Sequence, residues 1–497
     1  MSIQDHVVPN PEEKTENPQG SDAEDKDKKR KLSGIETVEA SHELTLRDRS
    51  YKYLSRAGVL PLKDEFGETE AEIFFVAYEL EGIANRLDRP LTFVFNGGPG
   101  SSSVWLHLGA LGPRRVQMEK EGWMPPPPYR LVENEYTWLD QTDLVFIDPV
   151  GTGYSRAINE AADKKYWSFE GDIKSIGAFI RLYLTRYKRW SSPLYLAGES
   201  YGTTRAAGLA SHLVEQGITF NGIILISTAL DLRPIFFTQG DDLPFQLFVP
   251  TYTATAWYHG KLDDELQQRS LSDLLAEVEA WSESDLTIAL MKGDRLMDSE
   301  RHRVAEQLAY YTGLEVGFVL GSNLRVDIFR FCKELLRDQR RSVGRMDSRF
   351  KGVEALTVTE RPEFDSALLA IQAPFTATLN HYVRADLGVE TDFSYEIINL
   401  NILEKWEWEK GALPSTGEAL RGAMAKNPFM RVFVGQGYYD LATPHFATVY
   451  MVSHMNIDPE LRRQLQISYY EAGHMFYVDL ESLAVFKRDI DQFIQGR

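Results

Sequence analysis

Short apolar runs recur along the chain, and each has the composition of a strand that is buried on both faces of a sheet. They are rich in β-branched and aromatic residues, as such strands are. The runs are residues 71–78, Leu91–Phe95, 144–148, 194–197, 223–226 and 431–434, and a further short strand is predicted at 466–470. Helical stretches lie between several of them, and one covers residues 169–188 with an apolar stripe along one side. This alternation predicts an α/β fold with a mostly parallel central sheet and helices on both faces.

Two segments depart from this rhythm. Residues 1–41 are polar, mixed in charge and free of aromatic side chains, so we expect a disordered tail. Residues 234–424 are rich in helix formers, contain amphipathic stretches such as Leu271–Trp281 and show no comparable strand. We interpret them as a large, mainly helical cap inserted over the sheet. The cap divides the sheet-forming core into residues 42–233 and 425–497.

Composition narrows the possible functions. The chain carries 73 acidic and 54 basic residues, a formal net charge of −19, which argues against nucleic acid as a partner because phosphate binding needs a basic surface. Its one cysteine, Cys332, excludes an intrachain disulfide. Residues 1–30 lack an apolar leader, and no apolar run has the length of a membrane span. From these absences we expect a cytoplasmic location and no membrane association.

The sequence GESYG at 198–202 follows an apolar run and precedes a helix-compatible stretch that ends near Val214. This is the context of a nucleophile elbow, a sharp strand-to-helix turn that exposes a serine hydroxyl, here Ser200. A serine nucleophile needs a base, and the base needs an orienting carboxylate. Asp440 and His474 each follow a predicted strand, in the chain order Ser, Asp, His that this arrangement requires. We therefore predict Ser200, Asp440 and His474 as catalytic residues.

A glycine-rich segment, NGGPGSSS at 96–103, follows the strand Leu91–Phe95. Its backbone N–H groups, together with that of Tyr201, can form an oxyanion hole for a tetrahedral intermediate. A plain tight turn would use the same glycines, whereas a phosphate loop is excluded because no Gly-Lys-Ser/Thr follows. The histidines show no metal-ligand spacing, so we predict no metal site and no cofactor.

Five motifs together resemble the serine carboxypeptidases, a family with the α/β-hydrolase fold. They are NGGPGSS at 96–102, DPVGTGYS at 148–155, GESYG at 198–202, the segment around Asp440 and GHM at 473–475. The resemblance implies a serine-type carboxypeptidase that releases C-terminal amino acids from peptides through an acyl-enzyme. It implies that Gly98 and Tyr201 donate the N–H groups of the oxyanion hole. It further implies that Asn96, Gly97 and Glu199 bind the free C-terminal carboxylate of the peptide.

Glu199 needs a particular protonation state for that role. Two carboxylates about 3 Å apart repel by several kcal/mol at an effective dielectric of about 20, so Glu199 has to be protonated and donate a hydrogen bond. A plainer interpretation is a helix-start acid stabilised by the helix dipole. The family also usually carries a second glutamate just before the sequence LGP at 111–113, where this chain has Ala110. Without that partner Glu199 loses one cause of a raised pKa, which argues against a strongly acidic pH optimum.

Two other functions use the same residues or the same fold. Ester hydrolysis or acyl transfer requires only the triad, because an alcohol can intercept the acyl-enzyme. The other alternative is a catalytically silent binding protein, since a fold alone does not guarantee activity. Side-chain preference and oligomeric state are not encoded in these motifs.

Overall fold

Ten strands form one mixed sheet in the computed structural model, which describes residues 29–408 and 414–496. The strands of the described chain, in sequence order, are β1 (Val38–Leu46), β2 (Arg49–Lys63), β3 (Thr69–Leu80), β4 (Leu91–Phe95), β5 (Arg114–Val116), β6 (Leu131–Glu133), β7 (Asp143–Ile147), β8 (Arg156–Ala157), β9 (Leu194–Ser200), β10 (Gly222–Thr228), β11 (Arg341–Val343), β12 (Lys351–Val353), β13 (Arg431–Gly437) and β14 (Leu465–Tyr470). The main sheet has the order β1-β2-β3-β7-β4-β9-β10-β13-β14, with β8 paired to β3. Neighbours from β7 to β14 pair in parallel, whereas β1, β2 and β3 are antiparallel.

Helices cover both faces of this sheet. The α-helices are Val104–Leu106, Glu160–Tyr166, Phe169–Arg186, Tyr201–Val214, Leu243–Leu247, Val249–Tyr258, Asp264–Gln267, Leu271–Trp281, Thr287–Lys292, Asp298–Thr312, Val316–Gly321, Ile328–Glu334, Ser366–Ala385, Leu400–Lys405, Gly417–Lys426, His445–Ser453, Pro459–Arg462 and Leu480–Gln495. Alternate side chains of a central strand enter two separate cores, as Phe93 and Val94 of β4 do. The helix Phe169–Arg186 packs in the first core and Leu480–Gln495 in the second. The predicted α/β fold with helices on both faces is confirmed.

The first two strands, β1 and β2, were not predicted. Most of β1 is exposed or half-buried, so it contains no continuous apolar run. The apolar run of β2, residues 57–62, includes Gly58 and Pro61, which are unfavourable within strands. Ordered structure also begins before the predicted boundary at His42, because β1 starts at Val38 and the Ser33 hydroxyl donates to Glu72 at 2.7 Å. The rest of the predicted tail, residues 1–28, lies outside the described residues.

The described part of the predicted cap, residues 234–408 and 414–424, is mainly helical but packs on both faces of the sheet. Its first helices, among them Val249–Tyr258, join the core that contains Phe169–Arg186. The helix Ser366–Ala385 instead packs in the core on the opposite face, so this part of the insertion flanks the sheet. A short antiparallel pair, β11 and β12, also lies within the insertion. Across the described part of the chain, no helix has both the length and the apolar content to span a bilayer.

Candidate active site

Ser200 lies at a sharp turn between β9 and the helix Tyr201–Val214. Its backbone has a φ of 58° and a ψ of −129°, and a positive φ of this kind costs a non-glycine residue of order 1–3 kcal/mol. The turn is tight enough that a Cβ on Gly198 would lie 2.2 Å from the Gly202 carbonyl oxygen. The sequence therefore folds locally as the predicted elbow, with Ser200 at the carboxyl end of a buried strand and at the N-terminus of a helix.

The side chains of Asp440 and His474 form a buried pair. His474 Nδ1 donates to Asp440 Oδ2 at 2.8 Å, which leaves Nε2 as the proton acceptor of the ring. The other oxygen, Oδ1, accepts the backbone N–H groups of Ala442 (2.8 Å) and Thr443 (2.9 Å), so hydrogen bonds fix the orientation of the carboxylate. Burial lowers the pKa of His474, but the charge and hydrogen bond of Asp440 outweigh it, and the pKa is raised above 6.5.

Hydrogen bonds connect this pair to the neighbourhood of Ser200. Ser200 pairs with Thr228 in the register of β9 and β10. The Gln436 side chain on β13 accepts the Thr228 N–H at 3.0 Å and donates to Asp440 Oδ2 at 3.4 Å. The serine before Thr228 donates its hydroxyl to the His474 carbonyl oxygen. The three predicted catalytic residues thus lie at the carboxyl ends of strands in the parallel part of the sheet, which is where such sheets hold their ligands.

Residues 345–349 of the insertion, which we call the clamp, hold the loop that carries His474. The Met346 carbonyl oxygen accepts the His474 N–H at 2.6 Å, and Asp347 Oδ2 accepts the Gly473 N–H at 3.0 Å. A Cβ on Gly473 would lie 2.4 Å from Asp347 Cβ, so this approach requires glycine. Two further backbone hydrogen bonds, both of 3.0 Å, join the clamp to the residues on either side of the predicted carboxylate. Sequence reasoning missed the clamp, because no motif marks it.

The glycine-rich segment lies directly against the elbow. A Cβ on Gly97 would lie 2.5 Å from the Tyr201 nitrogen, so the two backbones meet as only glycine allows. Gly98 has a φ of 103°, a conformation that L side chains rarely adopt. Tyr201 is the first residue of its helix, and an N–H in that position has no acceptor within the helix. The predicted oxyanion-hole donors, Gly98 and Tyr201, therefore belong to adjoining backbone segments beside Ser200.

Asn96, Glu199 and Tyr477 form a buried polar cluster next to the elbow. The Tyr477 hydroxyl donates to Glu199 Oε2. Asn96 Oδ1 accepts the Leu106 N–H at 3.1 Å, whereas its Nδ2 is buried beside Glu199 and the Tyr477 hydroxyl without a well-formed hydrogen bond. Burial raises the pKa of Glu199 to about 7. The charge of His474 and the Tyr477 hydroxyl act in the opposite direction, so the carboxyl titrates near neutral pH.

Tyr477 is the member of this cluster that sequence analysis missed. It lies three residues after His474 in the short turn Phe476–Val478, and its side chain is fully buried. Core packing is the usual role of an aromatic residue in an apolar stretch, so the sequence contains no signal for its contact with Glu199. Ala110 is also buried, and no second carboxyl comes from that position.

The arrangement has the parts that acyl transfer through a serine requires. These are an elbow serine, an oriented imidazole and closely placed backbone N–H donors. A neutral carboxyl and an amide nitrogen without a well-formed hydrogen bond are, in addition, donors suited to a carboxylate ligand. Among residues 29–408 and 414–496, no three side chains of His, Cys, Asp or Glu are grouped as metal ligands would be.

The fold and these parts define an α/β-hydrolase with a serine nucleophile elbow. The sequence model of the family described as serine carboxypeptidase matches residues 55–475, so the chain belongs to the serine carboxypeptidase family. The chain is similar to the pheromone-processing carboxypeptidase KEX1 of Saccharomyces cerevisiae, with 32% identity over 158 residues that cover 29% of this chain and 20% of that protein. It is also similar to serine carboxypeptidase-like 12 of Arabidopsis thaliana, with 30% identity over 152 residues that cover 29% of this chain and 33% of that protein. The aligned part spans a third or less of the length of each of these relatives.

The fold is also similar to a solved structure. The crystal structure of KEX1, a prohormone-processing carboxypeptidase from Saccharomyces cerevisiae, superposes with a TM-score of 0.57 over 89% of this chain and 91% of that chain. The sequence identity over this superposition is 18%, so the likeness supports the fold.

The comparisons contradict the expected cytoplasmic location. The relatives include carboxypeptidases that process pheromones and prohormones, and such products are exported from the cell. The expectation was wrong because it rested on absences. A single buried thiol such as Cys332 neither forms a disulfide nor needs a reducing compartment, so the cysteine count does not determine the location.

Proposed function

We propose that this protein is a serine-type carboxypeptidase that removes amino acids one at a time from the C-termini of peptides. The buried Asp440–His474 hydrogen bond carries the proposal, because it holds the imidazole in the tautomer whose Nε2 can accept the Ser200 proton. The Ser200 oxygen then attacks the scissile carbonyl carbon, and His474 gives the proton to the nitrogen of the departing C-terminal amino acid. Water attacks the acyl-enzyme in the same way and releases the shortened peptide.

The oxyanion of each tetrahedral intermediate is bound by the N–H groups of Gly98 and Tyr201. Donors of this kind are fixed before the charge develops, and one of them is worth about 3 kcal/mol of barrier. The close approach of Gly97 to the Tyr201 nitrogen supports this assignment, since it aligns the two backbone segments at the elbow.

Recognition of the substrate's free carboxylate falls to Asn96, Gly97 and Glu199. The Asn96 Nδ2 atom is a buried donor beside Glu199 that forms no well-formed hydrogen bond among the described residues, and a ligand carboxylate would satisfy it. Glu199 has a pKa of about 7, so below that pH it is neutral and can donate to an anion. Peptides with a free C-terminus are the substrates that this set of donors favours.

Ser200→Ala tests the nucleophile. We expect kcat/KM for peptides to fall by about a million-fold, as removal of a catalytic serine does elsewhere. A fluorophosphonate should label the wild type at Ser200 and leave the variant unlabelled. Mass spectrometry of a mixed peptide pool should show stepwise loss from the C-terminal end. A Ser200→Ala enzyme that keeps most of its peptidase activity would refute the assignment.

Substrates with a blocked C-terminus, together with fluorophosphonate labelling, distinguish the proposed carboxypeptidase from the two alternative functions. An esterase or acyltransferase would act on amidated peptides and simple esters as readily as on free-acid peptides, and the role given to Asn96 and Glu199 would then be wrong. A silent binding protein would leave Ser200 unlabelled by the fluorophosphonate at neutral pH. A carboxypeptidase is labelled and prefers the free acid.

A further inference from the structure

The contact between Tyr477 and Glu199 combines one fixed donor with one titratable carboxyl. Both side chains are buried, and the tyrosine hydroxyl donates to Oε2 of the carboxyl. Burial and the Glu199 charge hold the pKa of Tyr477 well above 10, so the tyrosine keeps its proton throughout the neutral range. Two carboxyls in contact would instead titrate as a coupled pair that shares a proton.

Gly109, a few residues after the glycine-rich segment, provides space for the Tyr477 ring. A Cβ on Gly109 would lie 2.7 Å from Cε2 of the Tyr477 ring, so the ring packs directly on this glycine. The next residue, Ala110, is fully buried and has no polar atom in its side chain. The Tyr477 ring therefore packs on the residue next to Ala110, while its hydroxyl reaches Glu199.

We infer that Tyr477 is a positioning residue that fixes Glu199 for recognition of the substrate's terminal carboxylate, an inference that rests on the proposed function. A carboxyl oxygen that accepts a hydrogen bond is favoured as the carbonyl oxygen, because a hydroxyl oxygen is the weaker acceptor. With Oε2 engaged by Tyr477, the proton of neutral Glu199 resides on Oε1. Oε1 then donates to the substrate carboxylate, and Asn96 Nδ2 supplies a second donor. Tyr477 thus orients Glu199 as a second carboxyl would.

Besides burial, groups from four segments affect the pKa of Glu199. They are His474 after β14, Tyr477 in the turn that follows, Asp440 after β13 and Asn96 after β4. Burial and Asp440 favour the neutral carboxyl, and the other three favour the anion. Loss of the Tyr477 hydroxyl should therefore let Glu199 keep its proton to higher pH, while its orientation is no longer fixed. A residue that only packs would produce neither effect.

Tyr477→Phe tests the inference with two matched substrates, an N-acylated dipeptide with a free C-terminal carboxylate and the same dipeptide as its C-terminal amide. The measured quantity is the ratio of kcat/KM for the acid to kcat/KM for the amide, from pH 5 to pH 9. In the wild type this ratio should fall with a midpoint near the Glu199 pKa of about 7. In Tyr477→Phe we expect the ratio at pH 6 to be lower by about tenfold, the usual effect of losing a hydrogen bond to a charged or buried partner. The midpoint should move to higher pH.

Tyr183→Phe is the matched control, because the buried Tyr183 hydroxyl has no hydrogen-bond partner among the described residues. Tyr183→Phe should change neither the ratio nor the midpoint.

Gly109→Ala is a second test that keeps the tyrosine, since the added methyl group displaces the Tyr477 ring. It should reproduce the lower acid-to-amide ratio expected for Tyr477→Phe. An equal loss on both substrates with an unchanged midpoint, in either variant, would overturn the inference. A wild-type ratio near one at every pH would contradict recognition of the terminal carboxylate. The role of Ser200 as the nucleophile is tested separately, by the loss of activity in Ser200→Ala.

Discussion

A carboxyl beside the nucleophile must be neutral to bind a second carboxylate, and this makes recognition depend on one proton. The pKa of a peptide's terminal carboxyl is roughly 3.5, so the substrate is an anion over most of the pH range. Buried Glu199 has a pKa of about 7 and is neutral below that pH. Between these two values a neutral donor meets an anion. Above about pH 7 two anions would face each other, and free-acid peptides should bind more weakly.

Glu199→Gln should remove this alkaline limit. The amide has the shape of the neutral carboxyl and donates a hydrogen bond at every pH. We therefore expect the acid-to-amide ratio of kcat/KM to be similar in the two proteins at pH 5.5, and to persist in the variant at pH 9 where the wild type loses it. The pH dependence of the ratio is the measurement. A variant whose ratio falls as steeply as that of the wild type would mean that another group titrates.

The same substitution has a consequence for stability that provides a control. The native pKa of Glu199, about 7, lies above the ordinary value of 4.5, so the native state binds this proton more tightly than the unfolded chain does. Its contribution to stability is therefore fully present below pH 4.5 and is lost as the pH rises through 7. Thermal unfolding midpoints should place Glu199→Gln increasingly above the wild type between pH 5 and pH 8. A constant difference would argue that the pKa of this carboxyl is not raised in the native state.

At the residue scale, strand ends could be predicted and side-chain contacts could not. Ser200 ends a strand, and Asp440 and His474 each follow one, so their chain order and position were sufficient to select them. The contact of Tyr477 with Glu199 joins residues 278 positions apart and depends on how a ring packs on a glycine. No local pattern carries that information.

At the scale of structural elements, the clamp (residues 345–349 of the insertion) is hydrogen-bonded to two loops at once, the loop that carries Asp440 and the loop that carries His474. Asp347→Ala removes the acceptor of the Gly473 N–H and loosens the His474 loop. We expect kcat to fall by about tenfold or more, because small displacements of a base are costly. The loss should be equal for free-acid and amidated peptides, unlike the loss in Tyr477→Phe.

Asp347→Asn is the conservative partner of that test. Its side-chain oxygen can still accept the Gly473 N–H, so it should restore most of the turnover lost in Asp347→Ala, although the ion pair with Arg349 is lost. A changed acid-to-amide ratio in either variant would contradict a role that acts only through His474.

Strands buried on both faces could be predicted from continuous apolar runs in the sequence, whereas the largely exposed strand β1 could not. The runs that match β4, β9 and β10 are continuous because both faces of those strands are covered. Most residues of β1 are partly or fully exposed to solvent and many are polar, so the sequence contains no apolar run that would predict this strand. The helix Ser366–Ala385 was assigned to the cap because its apolar stripe does not specify which surface it covers.

At the scale of the whole molecule, the two ends of the parallel strands have different roles. The carboxyl ends hold the predicted catalytic residues, whereas the amino ends hold a buried ion cluster. Asp143 at the start of β7 accepts Arg89 Nε and Arg189 Nη1, each at 2.6 Å. Arg89 precedes β4 and Arg189 precedes β9, so the cluster joins three neighbouring strands. All three side chains are buried, and removal of the carboxylate would leave two guanidinium groups without their shared counter-charge.

Asp143→Asn should therefore lower stability without altering the chemistry. The substitution keeps the size of the side chain, and breaking a buried ion pair costs about 3–5 kcal/mol, which a shift of the urea unfolding midpoint would report. The native fraction should keep the acid-to-amide ratio and its midpoint near pH 7, because the substitution lies at the opposite strand ends. Glu418→Gln, which breaks an exposed pair with Arg421, is the matched control and should leave the urea midpoint unchanged. If the pH midpoint of the acid-to-amide ratio shifts in Asp143→Asn, the two ends of the sheet are coupled. If the urea unfolding midpoint does not shift, the ion cluster does not stabilise the packing of the three strands.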